Sequence, residues 1–261
     1  MLYFVNKYEE VRMYKVLWTL TLVSTLINTA FATEKILDES QFSEIKKMNI
    51  ILQDPVLSIK GAIEKPESYI LKLVATSPQG SQLITAFLNK KTSELYIGSA
   101  YDKAGVPLLF PKDPTAIKEG VSFTYGTGSK ELYLVTDPEC PYCTKFAQSV
   151  KGHMDEYTVH VIFFPLSFHK NSPAMIEWIM QGKDDAEKKK RYDEIMLKGS
   201  TKYSILHKDE TKPFFYSSEV QEKMDKSSQA TLELNVRGTP MLFDVDFNPL
   251  SMDKVIKVPT K

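Results

Sequence analysis

Only two cysteines occur among the 261 residues, Cys140 and Cys143, so a fold held by several disulfides is excluded. An excess of one charge is missing as well: 33 Lys and Arg stand against 33 Asp and Glu, which leaves no bulk field to hold a nucleic acid. The densest charge run, KDDAEKKKR at 183–191, mixes both signs and reads as the solvated face of a helix. Metal-ligand clusters are absent too. The four histidines, His153, His160, His169 and His207, are scattered and no second cysteine pair exists, so only a metal shared between two subunits stays open. After residue 32 no run is long and apolar enough to cross a bilayer. With 43% hydrophobic and 25% charged residues the chain has globular composition, enough for one large or two modest domains.

The long apolar run that is present, VLWTLTLVSTLINTAFA at 16–32, lies behind Arg12 and Lys15. It ends in Ala30-Phe31-Ala32, the small-x-small pattern of a signal-peptidase site. Residues 1–32 are therefore read as a secretory signal, with Met13 as an alternative start. The rival is an uncleaved anchor, for which Thr19, Thr21, Ser24, Thr25, Asn28 and Thr29 make a poor span. Export narrows what a close cysteine pair can be for. A disulfide between residues three apart closes a tiny loop and constrains little of the unfolded chain. Redox exchange is the reading left with a mechanism.

The neighbourhood of the pair supports it. ELYLVT at 131–136 is rich in strand formers, and CPYCTKFAQSVKGHM at 140–154 spaces Phe146, Val150 and Met154 as on one helix face. Cys140 thus falls where a strand ends and a helix begins. Pro141, having no N–H, suits the first helical turn. Free N–H groups and the helix dipole favour a thiolate there, which makes Cys140 the attacking sulfur. Cys143, one turn later and less exposed, is the resolving thiol.

With these residues in place, the sequence resembles the thioredoxin superfamily and, within it, the DsbC/DsbG family of periplasmic thiol:disulfide interchange proteins. Asp137-Pro138 followed by CPYC is closest to DsbG, although CPYC also occurs in glutaredoxins. The second landmark of the superfamily, a cis-proline before a strand, matches Arg237-Gly238-Thr239-Pro240 followed by MLFDV. Without CPYC, Thr239-Pro240 would read as a trans-proline turn. The resemblance implies catalysis by Cys140 and Cys143, and substrate binding by Thr239 and Pro240 together with Pro141 and Tyr142. It implies no metal and no cofactor. The expected activity is isomerisation or reduction of disulfides in unfolded or misoxidised exported proteins, in the periplasm, with a membrane thiol reductant as partner. No nucleic acid and no stable membrane insertion after signal cleavage are expected. The alternatives are a dithiol oxidase, a glutathione-dependent glutaredoxin-like enzyme, and a redox-independent periplasmic chaperone.

Between the two landmarks the chain reads as an interrupted thioredoxin fold. TVHVIFFPL at 158–166 is a strand, and a helical insertion fills 172–236. Ser172-Pro173 opens its first helix, carrying Ile176, Ile179 and Met180; a second runs from about 184 to 197 and stops at Gly199; Ser218 and Gln221 read as a capping box for the third. The apolar stripes on these helices are read as core. Two departures from thioredoxin stand out. Leu134 occupies the position of its buried Asp, and the chain after MLFDV leaves scarcely any room for a final helix, so another segment or a partner must cover one sheet face.

Residues 33–101 have a different texture. ESQFSEIKKMNIIL at 39–52 is an amphipathic helix candidate, followed by strand-like runs at 68–76, 81–89 and 93–100 with turns SPQG and NKKT between them. So small a core leaves sheet edges that a second copy would protect. In the resembling family this region is the dimerisation module. Residues 102–120, with Pro107, Pro111 and Pro114, read as a stiff linker. The expected fold is an α+β N-terminal dimerisation domain (33–101) and a linker (102–120), then an α/β thioredoxin-like catalytic domain (121–261) with a helical insertion. A homodimer is the family expectation; one fused monomer is the alternative.

Overall fold

The computed structural model describes residues 35–77, 80–209 and 212–256. The signal reading of residues 1–32 falls outside them, as does the middle of the SPQG turn. Among the described residues no helix is long and apolar enough to cross a membrane.

The N-terminal unit is an antiparallel meander in which every strand pairs with its sequence neighbour. Its strands are β1 (Lys35–Ile36), β2 (Leu57–Glu64), β3 (Ser68–Ser77), β4 (Gly80–Asn89) and β5 (Leu95–Ile97). The sequence reading anticipates β3 and β4 but not β2. A bulge between Ile59 and Gly61 breaks the alternation that marks a strand. Gly61 has a further reason to be glycine, since a Cβ there would come within 2.4 Å of the Phe110 ring. The expected helix over 39–52 is also shorter. Only α1 (Phe42–Met48) is α-helical, because Asn49 turns extended and its side chain accepts the Ile51 N–H, opening a 3-10 turn at Ile50–Gln53. Phe42, Ile45 and Leu52 pack with Leu71, Leu73, Ala62, Ala86 and Leu88 on one sheet face.

The second sheet has the order β10, β9, β7, β8, β6. Strands β7 (Lys130–Thr136) and β8 (Tyr157–Phe163) are parallel and joined through α3 (Pro141–Ser149). Strand β9 (Met241–Phe243) runs antiparallel to β7 and turns back into β10 (Pro249–Leu250), while β6 (Phe123–Tyr125) pairs antiparallel with β8. Strand β8 stops before Phe164-Pro165, short of the expected end at 166, since proline has no N–H for a ladder. The insertion contains α4 (Ser172–Met180), α5 (Asp185–Lys198) and α6 (Ser218–Glu233). Gly199 ends α5 in the left-handed conformation, as its position suggested. The capping box expected at Ser218 is not formed. Ser217 is the N-cap, its N–H donates to Glu177, and the Gln221 side chain donates to Asp225 instead.

Strand β7 is buried on both sides, which explains its unbroken apolar run. Leu132 and Leu134 face the core shared by α3 and the insertion, with Phe146, Val161, Phe163, Ile176 and Tyr192. Tyr133 and Val135 face a second core with Ile162, Phe243, Ala230, Leu234 and Ile117. The segment read as linker covers this second face: its C-terminal part is α2 (Pro114–Glu119), capped by the Asp113 side chain and burying Ile117 completely. Gly120 lets α2 lie close to α6, since a Cβ there would meet Ala230 Cβ at 2.3 Å. The N-terminal sheet also meets the end of α6. Lys72 of β3 forms a buried ion pair with Glu233 at the end of α6, with N–O distances of 2.5 and 2.6 Å.

Candidate active site at the Cys140 and Cys143 pair

The chain leaves β7 at Thr136, turns through Asp137-Pro138-Glu139, and enters α3 with Cys140 as N-cap and Pro141 in the first turn. The Cys140 N–H donates to the Asp137 carbonyl at 3.1 Å, and the Cys140 carbonyl accepts the Thr144 N–H at 3.0 Å. Both thiols are free. The sequence reading separates the two by exposure, and the structure corrects this: Cys140 is 2% and Cys143 1% exposed, so accessibility does not distinguish them. Tyr142, between them, is 67% exposed, and Pro141 is exposed as well.

Burial pushes the Cys143 thiol up to about 12. The Thr136 hydroxyl and the Asp137 N–H, 3.4 Å from the Cys143 sulfur, act in the opposite direction, as does the Thr239 hydroxyl. The Thr239 hydroxyl is itself buried and makes no hydrogen bond of normal geometry. Behind Cys143 stands Tyr192, whose phenol burial holds well above its ordinary range and which lies 3.4 Å from the Thr136 hydroxyl.

Thr239-Pro240 is cis, which excludes the trans-proline turn. Its Thr239 carbonyl lies 3.6 Å from the Cys140 sulfur, within reach of a weak S–H donor. Pairing of β9 with β7 is what brings these distant positions together.

Residues 123–248 match the family model of a thioredoxin-like domain.

This thioredoxin-like domain runs from β6 to the turn before β10, and the molecule as a whole is such a domain with a helical insertion behind an N-terminal β-rich unit. Similar solved structures include ScsC of Proteus mirabilis, at 17% identity over 53% of this chain and 70% of that one, with a TM-score of 0.40. DsbG of Helicobacter pylori is similar at 16% identity over 79% of this chain and 100% of that one, with a TM-score of 0.36. A disulfide interchange protein of Neisseria gonorrhoeae follows at 20% identity over 51% and 89%, with a TM-score of 0.36. No curated protein sequence matches the chain.

The thioredoxin-like domain also holds groups beside the dithiol to which the sequence reading gave no role in the site. Asp137 is fully buried and accepts from the Glu139 N–H at 2.9 Å, from the Leu166 N–H at 2.8 Å, and pairs with His169 Nδ1 at 2.7 Å. Glu139 makes a parallel clamp, accepting the Asn171 and Ser172 N–H groups at 2.7 Å each. Both carboxylates thus bolt the turn before Cys140 to the loop between β8 and α4. The signal for this was two acids in the turn beside the cysteines, but their partners lie some thirty residues on, as the 29 to 33 residue separations show. Among the described residues no group of three or more His, Cys, Asp or Glu could hold a metal.

Proposed function

We propose that the chain is an exported thiol:disulfide oxidoreductase acting on the disulfides of other proteins, as isomerase or reductase, through Cys140 and Cys143. The observation that carries this reading is a free dithiol at a strand-to-helix junction, held against the cis Thr239-Pro240 peptide. In the reaction, the Cys140 thiolate attacks one sulfur of a client disulfide. A mixed disulfide forms and the other client sulfur leaves as a thiolate. In isomerisation a client thiolate then attacks elsewhere and finally displaces Cys140, with no net electron transfer. In reduction Cys143 loses its proton to solvent and attacks the Cys140 sulfur, so the client gains two electrons and the pair becomes a disulfide. An external thiol reductant, placed in the membrane by this reading, must then restore the pair.

Thr239 and Pro240, with exposed Pro141 and Tyr142, are assigned to the client backbone. A sulfur set as deep as Cys140 suits a client whose chain can be laid into the site, which favours unfolded or misoxidised proteins. Residues 1–32 are assigned as the export signal, which places the protein in the periplasm.

The N-terminal sheet is assigned as a homodimerisation surface. Strand β4 spans Gly80–Asn89, yet β5 pairs only with Ala86, Phe87 and Leu88, so among the described residues the first half of β4 has no strand beside it on that edge. Tyr96 and Ile97 stand 58% and 55% exposed alongside.

The test is Cys143→Ala. This variant keeps the attacking sulfur and loses the resolving one, so mixed disulfides with exported proteins should accumulate and collapse on adding dithiothreitol. A variant that forms none while Cys140 stays alkylatable sinks the reading. The in vivo redox state then separates directions: a pair found reduced supports isomerase or reductase, and a pair found oxidised supports a dithiol oxidase. Suppression of client aggregation that survives loss of both thiols points to a chaperone.

A further inference from the structure

The buried acid beside the dithiol has no part in the exchange steps above. Strand β7 carries Leu134 where thioredoxins carry theirs, and Asp137 is the fully buried carboxylate next to the pair in sequence. Asp137 meets Cys143 through its backbone, whose N–H points at the Cys143 sulfur from 3.4 Å. Its side chain reaches the other way, to the Leu166 N–H and to His169 Nδ1. One residue therefore links the resolving sulfur to the loop after β8.

His169 is placed to hold that link. Its side chain is 13% exposed, and the ring of Phe168 meets it edge-on at 4.5 Å. The 2.7 Å contact to Asp137 is the shortest of the bonds that the Asp137 side chain makes. Tyr216, with a buried hydroxyl that has no hydrogen-bond partner, has its ionisation pushed up by burial first and then by the charges of Asp137 and Glu177. Among the described residues the imidazole is the side-chain nitrogen bonded to Asp137. A buried carboxylate that served packing alone could be exchanged for an apolar group of its size with little loss. Here its bonds decide where an N–H stands relative to a reacting sulfur.

We propose that the His169–Asp137 hydrogen bond is a positioning device for the resolving thiol: it holds the turn at 137–139 on the following loop, keeps the Asp137 N–H at the Cys143 sulfur, and so sets how fast Cys143 attacks a mixed disulfide on Cys140. The inference rests on the dithiol reading above. An N–H aimed at the sulfur stabilises negative charge there as the proton leaves, and misplacing it removes that help where burial already opposes ionisation. Because Glu139 clamps the same turn independently, losing His169 leaves the turn attached and the chain able to fold.

Stopped-flow reaction of the full reduced protein with the aromatic disulfide dithiobis-nitrobenzoate separates the two steps. Cys140 attacks it, forming a mixed disulfide and releasing one aromatic thiolate; Cys143 then attacks the Cys140 sulfur, releasing the second and leaving the pair oxidised. Raising the reagent concentration speeds the first release only, so the second can be isolated. His169→Leu, which fills the ring volume without a donor, should slow the second release on the order of tenfold and leave the first within about twofold. His169→Asn, whose amide can donate to Asp137 in place of Nδ1, should recover most of the loss. The proposal is overturned if the second release is unchanged in His169→Leu, if both releases slow alike, or if His169→Asn is as slow as His169→Leu. Circular dichroism confirms that each variant is folded, and Asp137→Asn supplies the same comparison should His169→Leu not fold. Failure of the dithiol reading looks different: the wild-type protein itself would show no first release.

Discussion

At the scale of single residues, Cys143 carries a consequence for stability. Its thiol is pushed from an ordinary 9.0 to about 12, mainly by burial. Between these values the unfolded chain gives up a proton that the folded chain keeps, so stability present below pH 9 is lost as pH rises towards 12. The reduced protein should therefore lose about 1 kcal/mol between pH 9 and pH 10 from this group alone. Cys143→Ala should remove that part of the slope, read as the shift in urea midpoint at the two pH values under reductant. An identical slope in both proteins contradicts the burial argument. The buried tyrosines Tyr125, Tyr192 and Tyr216 are raised as well and act in the same direction, but they start from 10.0 and enter later. A companion expectation is that in Cys140→Ala the remaining thiol resists iodoacetamide at pH 8 until urea unfolds the chain.

Among the elements, the contact between β3 and α6 ties the N-terminal sheet to the rest of the chain through an ion pair. Lys72 is a charged residue in the middle of five consecutive buried positions, Ile70 to Val74, and its pairing with Glu233 explains why a lysine is tolerated there. Glu233 also accepts the Asp113 N–H at 3.0 Å, so it joins β3, the cap of α2 and the end of α6. Lys72→Met should destabilise the protein by about 3–5 kcal/mol, because it strands a buried carboxylate, whereas Lys72→Met with Glu233→Leu should recover most of that loss. Urea unfolding of the two variants decides the matter; equal stability of wild type and Lys72→Met would mean that solvent reaches Glu233. The elements also show where pattern reading stops. Strands β3, β4 and β7 announce themselves by alternation or by an unbroken apolar run, while β2 is hidden by its bulge and α2 by the prolines around it. Proline at a first helical turn and proline in a linker look alike in sequence.

For the whole molecule, the proposed dimer yields its own test. The mature chain should sediment as a dimer, and Ile97→Lys, which sets a charge on the exposed edge strand, should sediment as a monomer. That variant should still reduce a small model disulfide, since the dithiol and Thr239-Pro240 lie in the other sheet. It should lose most isomerase activity on a scrambled multi-disulfide client and be found oxidised in cells, because a monomer no longer hinders the oxidases that charge monomeric thiol oxidants. A mature chain that sediments as a monomer, or a monomeric variant that keeps isomerase activity and stays reduced, removes the dimer from the mechanism. By itself the sequence determined the CPYC pair at a strand-to-helix junction, the Thr239-Pro240 landmark and the three helices of the insertion, because each is written in residues a few positions apart whose backbone preferences act locally. Only the tertiary structure decided that Thr239-Pro240 is cis against Cys140, that α2 covers one face of the second sheet, and that Asp137 meets His169 and Lys72 meets Glu233. A buried charge must find its partner wherever packing brings one, and for Lys72 that partner lies 161 residues away, beyond any periodicity a sequence displays.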